Sequence, residues 1–162
     1  MVKKELLVLS SGLVLATSIF YSCRKDVGMN PLLAYSDKAL YDSAKNESAF
    51  IYYKNLPNTV YSGTTGPHGS FKLKFNKVAN SVLTDNGKLP IGQKFPDGSF
   101  IVKEIQGSGL YAVMYKRTGS WLWAEFNADG STYYSVTKDP EVCTSCHNQS
   151  GQRDQVVTFN FY

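Results

Sequence analysis

Hydrophobic and polar positions along the chain change period several times, and each change marks an element. Between Ser36 and about Lys45, Ala39, Leu40 and Ala44 fall on one side of a helix that Ser36 can cap. Ala49–Lys54 has the character of a strand. Asn55 to Gly69, with Pro57, Gly63, Gly66 and Pro67, is dominated by turn formers. Ser70–Phe75 alternates, placing Phe71, Leu73 and Phe75 on one face and Lys72 and Lys74 on the other. Asn76 can cap a second helix whose stripe is Val78, Ala79, Val82 and Leu83, ended by Asp85-Asn86-Gly87.

The second half is patterned as a meander. Ser99–Gln106, Leu110–Lys116, Trp121–Phe126 and Ser131–Thr137 have strand character, separated by turns such as Gly107-Ser108-Gly109 and Asp129-Gly130. Gln155–Phe161 is expected to form a last strand. The whole predicts an α+β domain: an antiparallel β-sheet with a few short helices. No internal repeat or low-complexity tract interrupts it.

The N-terminus has a different pattern. Lys3 and Lys4 precede Leu6–Tyr21, a mostly apolar stretch broken by Ser10, Ser11, Gly12, Thr17 and Ser18. That is too short and too polar for a membrane span, and residues 1–22 are expected to be a signal peptide. Ser22-Cys23 followed by Arg24-Lys25-Asp26 resembles a bacterial lipoprotein signal, in which Cys23 is lipidated and becomes the mature N-terminus. The bulky Phe20 and Tyr21 depart from its tighter form, so ordinary cleavage stays open. The expectation is an exported, membrane-anchored lipoprotein facing the periplasm, with a soluble periplasmic protein as the alternative. Residues 23–35 then form a tether and 36–162 the folded domain.

Without residues 1–22, roughly 140 residues remain, enough for one domain with a real core and not comfortably for two. The net charge of +4 comes without any basic run, so nucleic acid is not an expected partner. The 11 Tyr and 9 Phe weigh more, because aromatic side chains can wall an apolar pocket.

Candidate chemistry is concentrated in Cys143-Thr144-Ser145-Cys146-His147, the attachment motif of a c-type haem. Two thiols at this spacing can add to the two vinyl groups on one porphyrin edge, and the following imidazole can reach the iron. A thiol redox pair would leave His147 unexplained. A zinc site would need a second Cys/His pair, yet the only other cysteine is Cys23 and the only other histidine His68. Cysteine arithmetic fits one covalent haem c: lipid on Cys23, haem on Cys143 and Cys146, His147 on the iron.

Several segments together carry a family resemblance. Phe95-Pro96-Asp97-Gly98-Ser99-Phe100-Ile101-Val102-Lys103-Glu104 resembles a signature of the cytochrome P-460 family, as does Trp121-Leu122-Trp123-Ala124-Glu125-Phe126. So do Pro67-His68-Gly69 leading into Phe75-Asn76, and the haem motif followed by Arg153-Asp154-Gln155-Val156-Val157. The resemblance spans roughly residues 48 to 162. It implies a sheet-based, usually dimeric mono-haem cytochrome, related to the gas-binding cytochrome c′-beta proteins. It also implies that Lys103 is joined covalently to the porphyrin. Strand alternation places Lys103 on the face of Ile101 and Ile105, where an amine must snorkel, pair or become neutral. A structural lysine near a haem propionate is the alternative.

Two further features bear on activity. The family's enzymes use a distal carboxylate in the loop after the strand matching Leu110–Lys116; here that loop, Arg117-Thr118-Gly119, contains no acid. Glu104 and Glu125 are the nearest acids in sequence, and neither matches that position. An electron carrier would supply a second strong iron ligand, and Met114 and His68 are the candidates in the domain. Met114 has the pattern of a core residue and His68 that of a turn residue. An open iron position is therefore expected, binding or converting a small nitrogen species such as NO or hydroxylamine. The alternatives are a six-coordinate electron carrier and a non-catalytic gas-binding module. A redox partner protein and the membrane, through the N-terminal lipid, complete the expected partners.

Overall fold

The computed structural model describes residues 36–162 apart from 64, 65, 139, 140, 150 and 152. The signal peptide, Cys23 and the tether lie outside the described residues. Ser36 caps α1 (Asp37–Lys45) as its sequence predicts, its hydroxyl accepting the amide of Ala39 at 3.2 Å. Leu40 and Ala44 on that helix are fully buried. Asp37 in the first turn reaches β7 (Thr132–Lys138), accepting from the Val136 amide at 2.5 Å and the Ser135 hydroxyl at 2.8 Å.

The strands are β1 (Phe50–Tyr52), β2 (Tyr61–Ser62), β3 (Ser70–Asn76), β4 (Phe100–Ile105), β5 (Tyr111–Arg117), β6 (Ser120–Phe126) and β7. All pair antiparallel in one sheet of order β1-β3-β4-β5-β6-β7, with β2 pairing β3 as well. The α+β expectation holds. Both faces of the sheet are covered. On one, Phe100, Val102, Val113, Tyr115, Leu122, Ala124 and Phe126 pack under α1. On the other, Phe71, Leu73, Phe75, Ile101, Met114, Trp121 and Trp123 pack against the C-terminal segment.

Lys72 and Lys74 do face away from Phe71, Leu73 and Phe75, as alternation requires. Because α1 covers that face too, Lys74 is fully buried there, paired with Glu104 and 3.4 Å from the carbonyl of Ala44.

Three local expectations are corrected. The strand expected over Ala49–Lys54 is only β1, flanked by 3-10 turns at Glu47–Ala49 and Tyr53–Asn55. The helix after Asn76 is a single turn, α2 (Lys77–Asn80); Val82 and Leu83 still pack on the core, from a turn. The last strand, Gln155–Phe161, is replaced by a 3-10 turn at Val157–Asn160. Thr158 and Phe159 are both buried, and Phe159 stacks on Phe75 with ring centroids 6.0 Å apart. Tertiary packing there overrides a local β preference.

Asn76 has two tasks. Its Oδ1 accepts from the amides of Ala79 at 2.9 Å and Phe100 at 3.0 Å, and its Nδ2 donates to the carbonyl of Gly98 at 2.8 Å. It therefore caps α2 and also pins the start of β4. Asn76→Ala should cost more than an ordinary cap, about 2–3 kcal/mol, since three bonds go at once. Asn76→Asp, which keeps the acceptors, should lose less. Urea denaturation followed by circular dichroism would order the two variants.

Candidate haem site

Register alone builds the floor of a cavity. Leu73 pairs with Lys103, Lys103 with Ala112, and Ala112 with Glu125, so these four residues form one transverse row on the face away from α1. The adjacent row is Phe75, Ile101, Met114 and Trp123. With strands about 4.8 Å apart, the backbones at Lys103 and Glu125 are about 10 Å apart, with the small Ala112 between them.

The roof comes from α3 (Glu141–His147). In a helix, positions i, i+3 and i+4 share a face, which is why Cys143, Cys146 and His147 point together. All three line a cavity of about 300 Å³ over the two rows, with Lys103, Glu125 and Trp123. Cys143 and Cys146 are thiols, not joined in a disulfide, and the Gln149 amide lies 3.5 Å from the Cys146 sulfur. The Cys143 thiol is pushed up to about 11, chiefly by burial and then by the charge of Glu125.

His147 is 8% exposed, and its ring packs edge-on against Trp123 with centroids 4.5 Å apart. Its Nδ1 donates to the carbonyl of Gln155 at 2.6 Å, leaving Nε2 with a free lone pair. Burial lowers its pKa to about 4, helped by Lys103 and His68 against the bond to Gln155, so the ring is neutral at pH 7. Neutral imidazole with a fixed tautomer is the form an iron requires.

Lys103 reaches the cavity as alternation predicts. Its ammonium lies 4.5 Å from the ring centroid of Phe71 and makes no ion pair among the described residues. Burial pulls its pKa down to about 8, against the opposing charges of Cys146 and Glu125. The neighbouring strand lysines differ: Lys74 has Glu104, and Lys116 has Asp154 at 2.9 Å.

Glu125, one of the two acids nearest in sequence to the loop after β5, does reach the cavity. That loop indeed carries no acid, but β6 delivers this carboxylate to the cavity wall. There Oε1 lies 2.7 Å from Nε2 of His68, whose loop also lines the cavity. The bond from the Gly63 amide to the Gly69 carbonyl, 2.6 Å, closes that loop. A side chain at position 63 would meet that same carbonyl oxygen at 2.7 Å, so glycine is required. The sequence did hold a signal for Glu125. It alternates with Trp121 and Trp123 as Lys103 does with Ile101 and Ile105. Met114 and His68 both line the cavity, and the nitrogen of His68 nearest a partner is already engaged by Glu125.

Residues 111–158, from β5 through the haem motif to the C-terminal turn, match the Cytochrome P460 family model. The match supports the cytochrome P460 assignment. No curated protein and no solved structure matches the chain. The Cytochrome P460 family implies haem binding, and the cavity fits that group. Two thiols and a neutral imidazole share its roof, and the unpaired Lys103 stands in its wall. Two buried polar atoms of lining residues, Trp123 Nε1 and Thr158 Oγ1, have no hydrogen-bond partner among the described residues.

The two kinds of lysine should respond oppositely to loss of charge. Before haem is attached, Lys103→Met removes an unpaired ammonium from an apolar wall and should raise the urea midpoint. Lys116→Met strands the buried Asp154 carboxylate and should lower it. The gain at Lys103 has a pH window. Its folded pKa of about 8 lies below the ordinary 10.5, so the unfolded chain binds the extra proton between those values and parent stability rises across them. The advantage of Lys103→Met should therefore be full below pH 8 and gone by pH 10.5. Urea midpoints measured at several pH values check both sign and window.

Proposed function

We propose that this chain is an exported mono-haem c-type cytochrome whose open iron position takes up a small nitrogen species such as nitric oxide or hydroxylamine. The observation that carries the reading is the single face of α3, where Cys143, Cys146 and His147 meet one cavity with the Nδ1 proton of His147 already committed to Gln155. Cys143 and Cys146 would hold the haem by thioether bonds, and Nε2 of His147 would be the iron ligand. When bound, the haem supplies an iron that coordinates the small molecule and exchanges electrons. Cys23 anchors the exported chain through lipid, and a redox partner protein exchanges electrons with it.

The chain's own residues divide the remaining work. Phe71, Trp123 and Ile101 exclude water from the cavity wall. Lys103, in the cavity wall, would hold the haem through a bond to the ring or as a counter-ion to a propionate. The His68–Glu125 pair offers a carboxylate and an imidazole 2.7 Å apart, between which a proton can pass. Hydroxylamine oxidation releases protons as electrons leave, and this pair supplies an acceptor that the loop after β5 does not. It favours turnover over simple gas binding.

A second reading, a six-coordinate electron carrier, rests on Met114, which lines the cavity as a possible thioether ligand. Ferric and ferrous optical spectra, with and without NO, separate the two. High-spin iron that changes spectrum on adding NO is expected; low-spin iron indifferent to NO would establish the carrier instead.

The attachment itself has its own test. Cys143→Ala with Cys146→Ala should abolish haem that survives acid–acetone extraction, and retained haem would refute the assignment. For Lys103, protease digestion of denatured protein gives the answer by mass. A haem peptide carrying both α3 and β4 means a ring bond, whereas haem on the α3 peptide alone means a propionate partner. If the pair handles protons, Glu125→Gln should lower hydroxylamine turnover by about 10²-fold or more with NO binding intact.

A further inference from the structure

The geometry points to Asp154 as the positioning residue of the iron ligand His147, acting through the carbonyl of Gln155. This rests on the haem reading above and concerns a residue that touches neither the imidazole nor the cavity. Asp154 and Gln155 are consecutive non-glycine residues at positive φ, 50° and 66°. Few side chains adopt that conformation unless their surroundings hold them there.

The holding bonds converge on Asp154. Its carboxylate takes the Lys116 ammonium on both oxygens, at 3.0 and 2.9 Å, and the Phe95 amide at 2.8 Å. Its carbonyl accepts the indole N–H of Trp121 at 3.0 Å. The side chains of Lys116 and Asp154 are only 3% and 8% exposed, and the ammonium also lies 4.7 Å from the Trp121 ring centroid. Arg153, one residue earlier, is tied to Asp85 and to the carbonyl of Leu89 at 2.8 Å. One residue later, the carbonyl of Gln155 takes the Nδ1 proton of His147 at 2.6 Å.

The peptide that orients the imidazole thus has no freedom of its own. Its direction is set by an ion pair to β5, on the same sheet face as the cavity. A bond to Nδ1 fixes the ring plane and makes the other nitrogen a stronger donor to metal. The Lys116–Asp154 pair therefore tunes the iron from outside the pocket.

The test uses the haem-loaded full chain with Asp154→Asn and Lys116→Met, each of which removes one charge of the pair. Glu104→Gln, which breaks the Lys74 ion pair on the opposite sheet face, is the control for general destabilisation. In-gel haem staining reports attachment. Resonance Raman spectroscopy of the ferrous protein reports the iron–imidazole stretch, and a redox titration gives the midpoint potential. Both pair variants should keep covalent haem, lower the stretching frequency and raise the potential, while Glu104→Gln leaves both at parent values. Should one pair variant fail to accumulate, the other carries the test. An unmoved frequency and potential in haem-loaded Asp154→Asn or Lys116→Met would overturn the positioning role alone, as would an equal shift in Glu104→Gln. Absence of covalent haem from the parent protein would instead sink the haem reading itself.

Discussion

A sheet covered on both faces leaves little solvent for the charged side chains within its strands, among them Lys74, Lys103, Glu104, Lys116 and Glu125 on β3 to β6. Each must find a partner or be left with the cost of desolvation. Lys74 and Glu104 satisfy each other under α1. Lys116 turns to Asp154 and Glu125 to His68, both reached from segments outside the central strands. Among the described residues, Lys103 has only the face of Phe71. The distribution of these partners separates structural charges from the one available to a cofactor.

Those pairings also attach the chain's outlying segments to the sheet. The loop carrying His68 is drawn over the cavity by Glu125, and the segment after the haem motif is drawn down by Lys116. Because α3 stands between β7 and that segment, fixing the latter fixes where Cys143, Cys146 and His147 face. The Trp123 ring beneath His147 completes the arrangement. Ordinary sheet chemistry has thus made a pocket with a neutral imidazole, two thiols and an unpaired amine around one space of about 300 Å³.

The position of Glu125 changes the balance between a gas-binding module and an enzyme. A pocket with no acid would be suited to holding NO and little else. A carboxylate bonded to an imidazole on the wall gives the same pocket a place for a proton, and oxidation of hydroxylamine needs one. The acid comes from a strand rather than from the loop after β5, so its place in the pocket follows from strand register and not from the loop's composition.

Much of the fold was legible in the chain. Strict alternation in Ser70–Phe75 and in the later strands assigned their two faces, and Ser36 and Asn76 announced their helices through local capping chemistry. The spacing of Cys143, Cys146 and His147 was sufficient to name the candidate cofactor, because that chemistry depends on neighbours in sequence. Lys103 was assigned its face for the same local reason. What the tertiary structure decided is non-local. The pairing of Glu125 with His68, 57 positions away, depends on a loop folding back over the sheet. The turn that replaces the expected last strand depends on seating Phe159 against Phe75. The bond from His147 to the Gln155 carbonyl joins α3 to a segment that Asp154 ties to Lys116 on β5. Local period decides which way a side chain points, whereas only the closed chain decides what it meets there.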